Sequence, residues 1–152
     1  MRFPPARMLF VLPALLGAFA LAACGGSDRT ETTVDVVLKE WSIELSDASA
    51  PAGDITFDLD NEGPDHAHQL LIIRTDFAPG QLPTKSNGTV DEGADGVNVI
   101  GKIAKFDEGK RSSGTFTLEA GKYVLICNLY DEDKGEKVSH YAKGMQVAFT
   151  AE

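Results

Sequence analysis

His68, Cys127, His140 and Met145 are the residues of this chain whose side chains could together do chemistry. The 152 residues hold only three histidines and two cysteines. Even so, one cysteine, one histidine and one methionine fall within "CNLYDEDKGEKVSHYAKGM", Cys127 to Met145. Two imidazoles, a thiolate and a thioether are the donor set of a copper centre that exchanges one electron, with His₂Cys in a plane and a weak axial Met. Thiolate and thioether favour Cu(I), and imidazole tolerates both oxidation states. A rigid site that suits neither state fully changes little when an electron passes. Each residue also has a plainer reading. Cys127 could be a buried strand thiol, since free cysteine packs like a small hydrophobe. His140 could be a polar loop residue beside Lys143, and Met145 a core residue in phase with Val147 and Phe149. His66 would share a face with His68 on a strand, but it follows Pro64 in a turn, whereas His68 opens the apolar run "HQLLIIRT".

The elements that must position these side chains read as strands. "VDVVLKEWSIEL" alternates through Val34, Val36 and Leu38, then again through Trp41, Ile43 and Leu45. The phase slips at Lys39–Glu40, as expected for a bulge or bend in one long strand. "DASAPAGD", Asp47 to Asp54, is a turn cluster, and alternation resumes through Ile55, Phe57 and Leu59. His68 to Thr75 is apolar on both phases, the mark of a strand covered on both faces. Residues 77–96 are rich in Gly, Pro and Asp and form a long connection. "VNVIGKIAKFDEG" fits a short strand or a helix. Thr115 to Leu118, a turn at Gly121, and Tyr123 to Cys127 make two further strands, and "MQVAFTA" makes the last. Cys127 shares a face with Tyr123 and Leu125. A turn through Gly144 can bring His140 and Met145 to one point. Trp41 reads as core packing. Short strands with turn signals between them predict an all-β sandwich.

Residues 1–23 carry Arg2, Arg7 and an apolar run that ends in small residues, the pattern of an export signal. "LAAC", Leu21 to Cys24, resembles the lipobox of bacterial lipoproteins, which implies a lipid on Cys24 and export to the outer side of a membrane. Residues 24–33, with "GGSDRTETT", read as a flexible tether and residues 34–152 as the domain. With Cys24 lipidated, Cys127 has no disulfide partner, and an unpaired exported thiol invites an explanation. Removing residues 1–23 takes away two arginines and no acid, so the formal net charge moves from −9 to −11. Such a balance argues against nucleic acid as a partner.

The stretches "LKEWSIELSDASAPAGDITFDLDNEG", "HQLLIIRTD" and "GKYVLICN…SHYAKGMQVAFT" resemble the cupredoxins, in particular exported bacterial single-domain types. The resemblance implies a Greek-key β-sandwich with one type 1 copper. The ligands would be His68, Cys127, His140 and, axially, Met145. It also implies a monomer that serves redox partner proteins as an electron carrier rather than an enzyme. The chain departs from the family in placing twelve residues, Asn128 to Ser139, between Cys and His, where familiar members have only a few. That acidic stretch reads as a solvated loop that opens the site, or as a docking patch for a basic redox partner. Gln69 stands where family members often carry Asn.

Three histidines are too few for a trinuclear copper cluster beside a blue site, and one domain thiol is too few for a dinuclear one. No hydrolase, zinc-protease or phosphate-loop motif is present. Two alternatives stay open: a copper carrier or storage protein with a non-blue site, and a metal-free interaction domain of the same fold.

Overall fold

The computed structural model describes residues 31–152. The signal and lipidation expectations for residues 1–24, and most of the tether, lie outside the described residues. Eleven strands follow one another: β1 (Thr32–Lys39), β2 (Ser42–Leu45), β3 (Ser49–Ala50), β4 (Gly53–Gly63), β5 (His68–Arg74), β6 (Asn98–Phe106), β7 (Arg111–Leu118), β8 (Gly121–Ile126), β9 (Tyr130–Asp133), β10 (Glu136–Ser139) and β11 (Gln146–Ala151). One helical turn, α1 (His140–Lys143), precedes β11. Thr32 and Thr33, expected at the end of the tether, already pair with Ile55 and Thr56 as the start of β1.

The strands form a four-stranded sheet ordered β2-β1-β4-β7 and a five-stranded sheet ordered β3-β11-β8-β5-β6. The chain passes repeatedly from one sheet to the other, and the two close as the expected Greek-key sandwich. Between them lies a core in which β1 gives Val34, Val36 and Leu38, β4 gives Ile55, Phe57 and Leu59, and β8 gives Tyr123 and Leu125. Among the described residues, these strands and their core lie between Thr32 and Ala151.

The outer face of the five-stranded sheet is also buried. Leu71, Ile73, Val124 and Ile126 pack there beneath Leu82 and Val90 of the long connection. This covering explains the two apolar phases of β5, whose first six residues are all buried. No helix forms in residues 77–96. The segment is instead held by a bridge between Thr84 and Val90 and by Asn128, whose side chain meets both the N–H and the C=O of Val90.

Three expectations are corrected. The phase slip at Lys39–Glu40 is a chain reversal and not a bend: β1 and β2 pair antiparallel, Lys39 opposite Ser42, with Glu40 and Trp41 at the tip. An alternation that changes phase cannot by itself distinguish a strand that kinks from one that turns back. The turn cluster hides the two-residue strand β3, which lies parallel to the end of β11. The acidic stretch after Cys127 is an ordered hairpin, β9 paired with β10, turned by Lys134 and Gly135 at φ 53° and 85°. Two successive residues with positive φ are what a tight hairpin turn of right-handed twist requires, and Gly135 meets that need without strain.

Candidate metal centre

Three strand ends and one helical turn converge at one end of the sandwich. His68 opens β5, and Cys127 directly follows β8, its N–H donating to Met145 C=O at 3.1 Å. α1 carries His140. Ser139 caps this turn, its Oγ accepting from Ala142 N–H at 3.2 Å and donating to Gly88 C=O at 2.8 Å. Gly144 ends the turn at φ 123°, and Met145 N–H then donates to His140 C=O at 3.1 Å. A Cβ on residue 144 would sit 3.1 Å from Trp41 C=O, a second reason for glycine there. His140 and Met145 are thus brought together through Gly144, as their spacing suggested.

All four side chains are fully buried. His68 Nδ1 lies 3.2 Å from His140 Nδ1, and Cys127 Sγ lies 3.9 Å from the first and 3.4 Å from the second. The corners of a triangle with these edges stand about 2.0 Å from a common centre, the usual length of a metal–nitrogen bond and slightly short of a metal–sulfur bond. The donor set and its spacing therefore fit one transition-metal ion. Met145 is buried in the same core cluster as Cys127.

The protonation states suit a ligand set. Burial lowers His68 to about 4, helped by neighbouring His66. Burial also lowers His140 to about 4, with His68 and His66 adding to the effect. Both imidazoles are therefore neutral and have a lone pair to give at pH 7. Burial pushes the Cys127 thiol up to about 11, against the pull of the Gln69 and Leu129 backbone N–H groups. An incoming cation must therefore displace the thiol proton. Gln69 supplies one of the two amides aimed at the sulfur.

Three side chains join the site that sequence reasoning gave no role there. Trp41, read as core packing, stacks against the centre, its ring 4.9 Å from those of both His66 and His140. His66 is buried, edge-on to His140 at 5.5 Å, and its Nε2 lies 3.7 Å from Asp133 Oδ1. Glu40 lies behind His68, with Oε1 3.5 Å from Nε2. Trp41 and Glu40 come from the β1–β2 tip, and only the phase slip marked that tip in the sequence.

The inserted hairpin does not lengthen the site. His140 N–H donates to Leu129 C=O at 2.9 Å, so the stem closes where the ligand loop begins. On β9, Asp131 and Asp133 are partly buried while Tyr130 and Glu132 face solvent. The inner face of the hairpin thus brings carboxylates toward His66 and His140, and Asp131 falls within reach of both.

No protein-family model and no curated protein sequence matches the chain. Among solved structures, it is similar to Na-dithionite reduced auracyanin from the photosynthetic bacterium Roseiflexus castenholzii. The TM-score is 0.56 at 21% identity, with 80% of this chain and 97% of that one covered. Auracyanin A, a "blue" copper protein of Chloroflexus aurantiacus, gives 0.53 at 17% identity, covering 81% of this chain and 100% of that one. Rusticyanin from Thiobacillus ferrooxidans gives 0.52 at 18% identity, covering 80% and 77%. On this likeness the chain has the cupredoxin fold.

Proposed function

We propose that the protein is a mononuclear type 1 copper protein that carries single electrons. The observation behind this reading is the triangle of His68 Nδ1, His140 Nδ1 and Cys127 Sγ, closed on edges of 3.2, 3.4 and 3.9 Å. Met145 would add a thioether to the donor set. Copper bound there would alternate between Cu(II) and Cu(I), taking up and releasing one electron. The protein's part is to hold the donors in place in both states. Neutral imidazoles, a closely packed sulfur and a roof of Trp41 and His66 keep the arrangement rigid and dry, so little must rearrange as charge changes. The likeness to auracyanin and rusticyanin supports this reading through the fold.

The sequence of residues 1–24 extends the proposal to a lipid on Cys24 and an exported protein on the outer face of a membrane, there serving redox partner proteins as a monomer. No helix among the described residues is long and apolar enough to cross a membrane. The test is to add Cu(II) to the soluble chain starting at Gly25. Intense visible absorption from thiolate to copper is expected. It should be lost in Cys127→Ser and bleached reversibly by a reductant. Stoichiometric binding without that absorption would instead support a carrier with a non-blue site, and no binding would leave a metal-free domain.

A further inference from the structure

Glu40 is a largely buried carboxylate placed against a candidate ligand. Its side chain is 11% exposed, and His68 beside it is 0% exposed. Oε1 accepts from the N–H groups of His66 at 2.7 Å and Asp65 at 3.2 Å, which fixes its position just ahead of β5. The same atom stands 3.5 Å from His68 Nε2, about half an ångström beyond an ordinary N–H···O bond. Glu40 Oε2 and His68 Nε2 are both buried without a hydrogen-bond partner. Among the described residues, no lysine or arginine pairs with Glu40, and the His68 imidazole that it faces is neutral at pH 7. Burying a carboxylate without a cation is costly, so this arrangement calls for positive charge on the far side of the imidazole.

We propose that Glu40 is the positioning residue of His68 and sets the electron affinity of the centre through it. This rests on the copper reading above. A neutral imidazole carries one N–H. The carboxylate draws it to Nε2, leaving the Nδ1 lone pair bare toward Cys127 and His140. The same negative charge, behind a ligand in a dry site, stabilises Cu(II) over Cu(I) and lowers the reduction potential. The other role open to Glu40 is purely structural, as the acceptor that latches residues 65 and 66.

Glu40→Gln separates the two roles, because the amide oxygen keeps the latch while the charge is removed. Glu44→Gln, on the same hairpin but exposed, is the control for charge alone. The expected result for Glu40→Gln is unchanged thiolate-to-copper absorption, Cu(II) affinity lowered about tenfold, and a potential shifted upward more than in Glu44→Gln. Equal shifts in the two variants overturn the proposal. A second measurement needs neither copper nor a variant. In the metal-free protein at pH 7, histidine ¹⁵N shifts should show His68 as the single Nε2–H tautomer. An Nδ1–H form or an even mixture overturns the positioning role. If the wild type takes up no copper, the copper reading fails, and the tautomer still decides the Glu40–His68 contact.

Discussion

The roles of single residues rest on burial. His68 and His140 sit near 4 when folded, against 6.5 for an ordinary imidazole. In the metal-free protein the unfolded chain therefore binds more protons across that window, and stability falls as pH drops from 6.5 toward 4. Cys127 is shifted the other way, to about 11 from 9.0, so the unfolded thiol ionises first and stability falls again as pH rises through that range. Urea midpoints of the metal-free protein should be highest near neutral pH and decline on both sides. Cys127→Ser should shallow the alkaline decline. Met145 makes a different prediction. Met145→Leu conserves volume in a full core and should cost less than ~1.5 kcal/mol. If the thioether is the axial donor, the variant still binds copper but at a higher potential, read by voltammetry. The four candidate ligands were legible because soft and imidazole donors are scarce in this chain, and one short stretch gathers three of them. Glu40, Trp41 and His66 were not, since acidic, aromatic and turn residues are common and only tertiary contacts give them a place.

At the level of elements, the one-turn helix carries more of the site than its length suggests. Four residues make a helix only when their ends are satisfied. Ser139 caps the start, and Gly144 N–H donates back to Tyr141 C=O at the end. Tyr141 anchors it on the far side, its hydroxyl accepting from Leu82 N–H at 3.1 Å. Ser139→Ala should cost about 1 kcal/mol through the lost cap. The lost tie to Gly88 should add to this, and the copper absorption band should broaden as His140 loosens. Unchanged stability and an unchanged band would show that Tyr141 and Gly144 suffice. The strands were legible where alternation was clean, as in β4 and β11. Doubly buried β5 was recognised as well, because both phases were apolar. The β1–β2 reversal and the β9–β10 hairpin were missed for one reason. Hydrophobic periodicity reports which face is buried, and these segments turn where neither residue type nor period marks the turn strongly.

Taken whole, the molecule is acidic: without residues 1–23 its formal net charge is −11. Part of that charge stands on the hairpin above the site, so a basic redox partner would be drawn to the end where the ligands gather. Electron-transfer rates with a basic partner should fall steeply between low salt and 0.15 M ionic strength, as the Debye length shrinks to about 8 Å. Stopped-flow measurement with a neutral small-molecule reductant should show almost no such dependence. The hairpin stem also matters for the chain as a polymer. A metal joining Cys127 to His140 would tie a ring, and closing a flexible ring costs more as it lengthens, by about 0.6 kcal/mol per doubling. Here twelve residues span what a few would, yet the bond from His140 N–H to Leu129 C=O has already closed the ring before any ligand is counted. The entropic penalty of the insertion is thereby met by backbone pairing within the ribbon and not by the metal. The Lys134–Gly135 tip can then vary in length and composition, as an appendage on a knot already tied, while the ends it joins keep their separation.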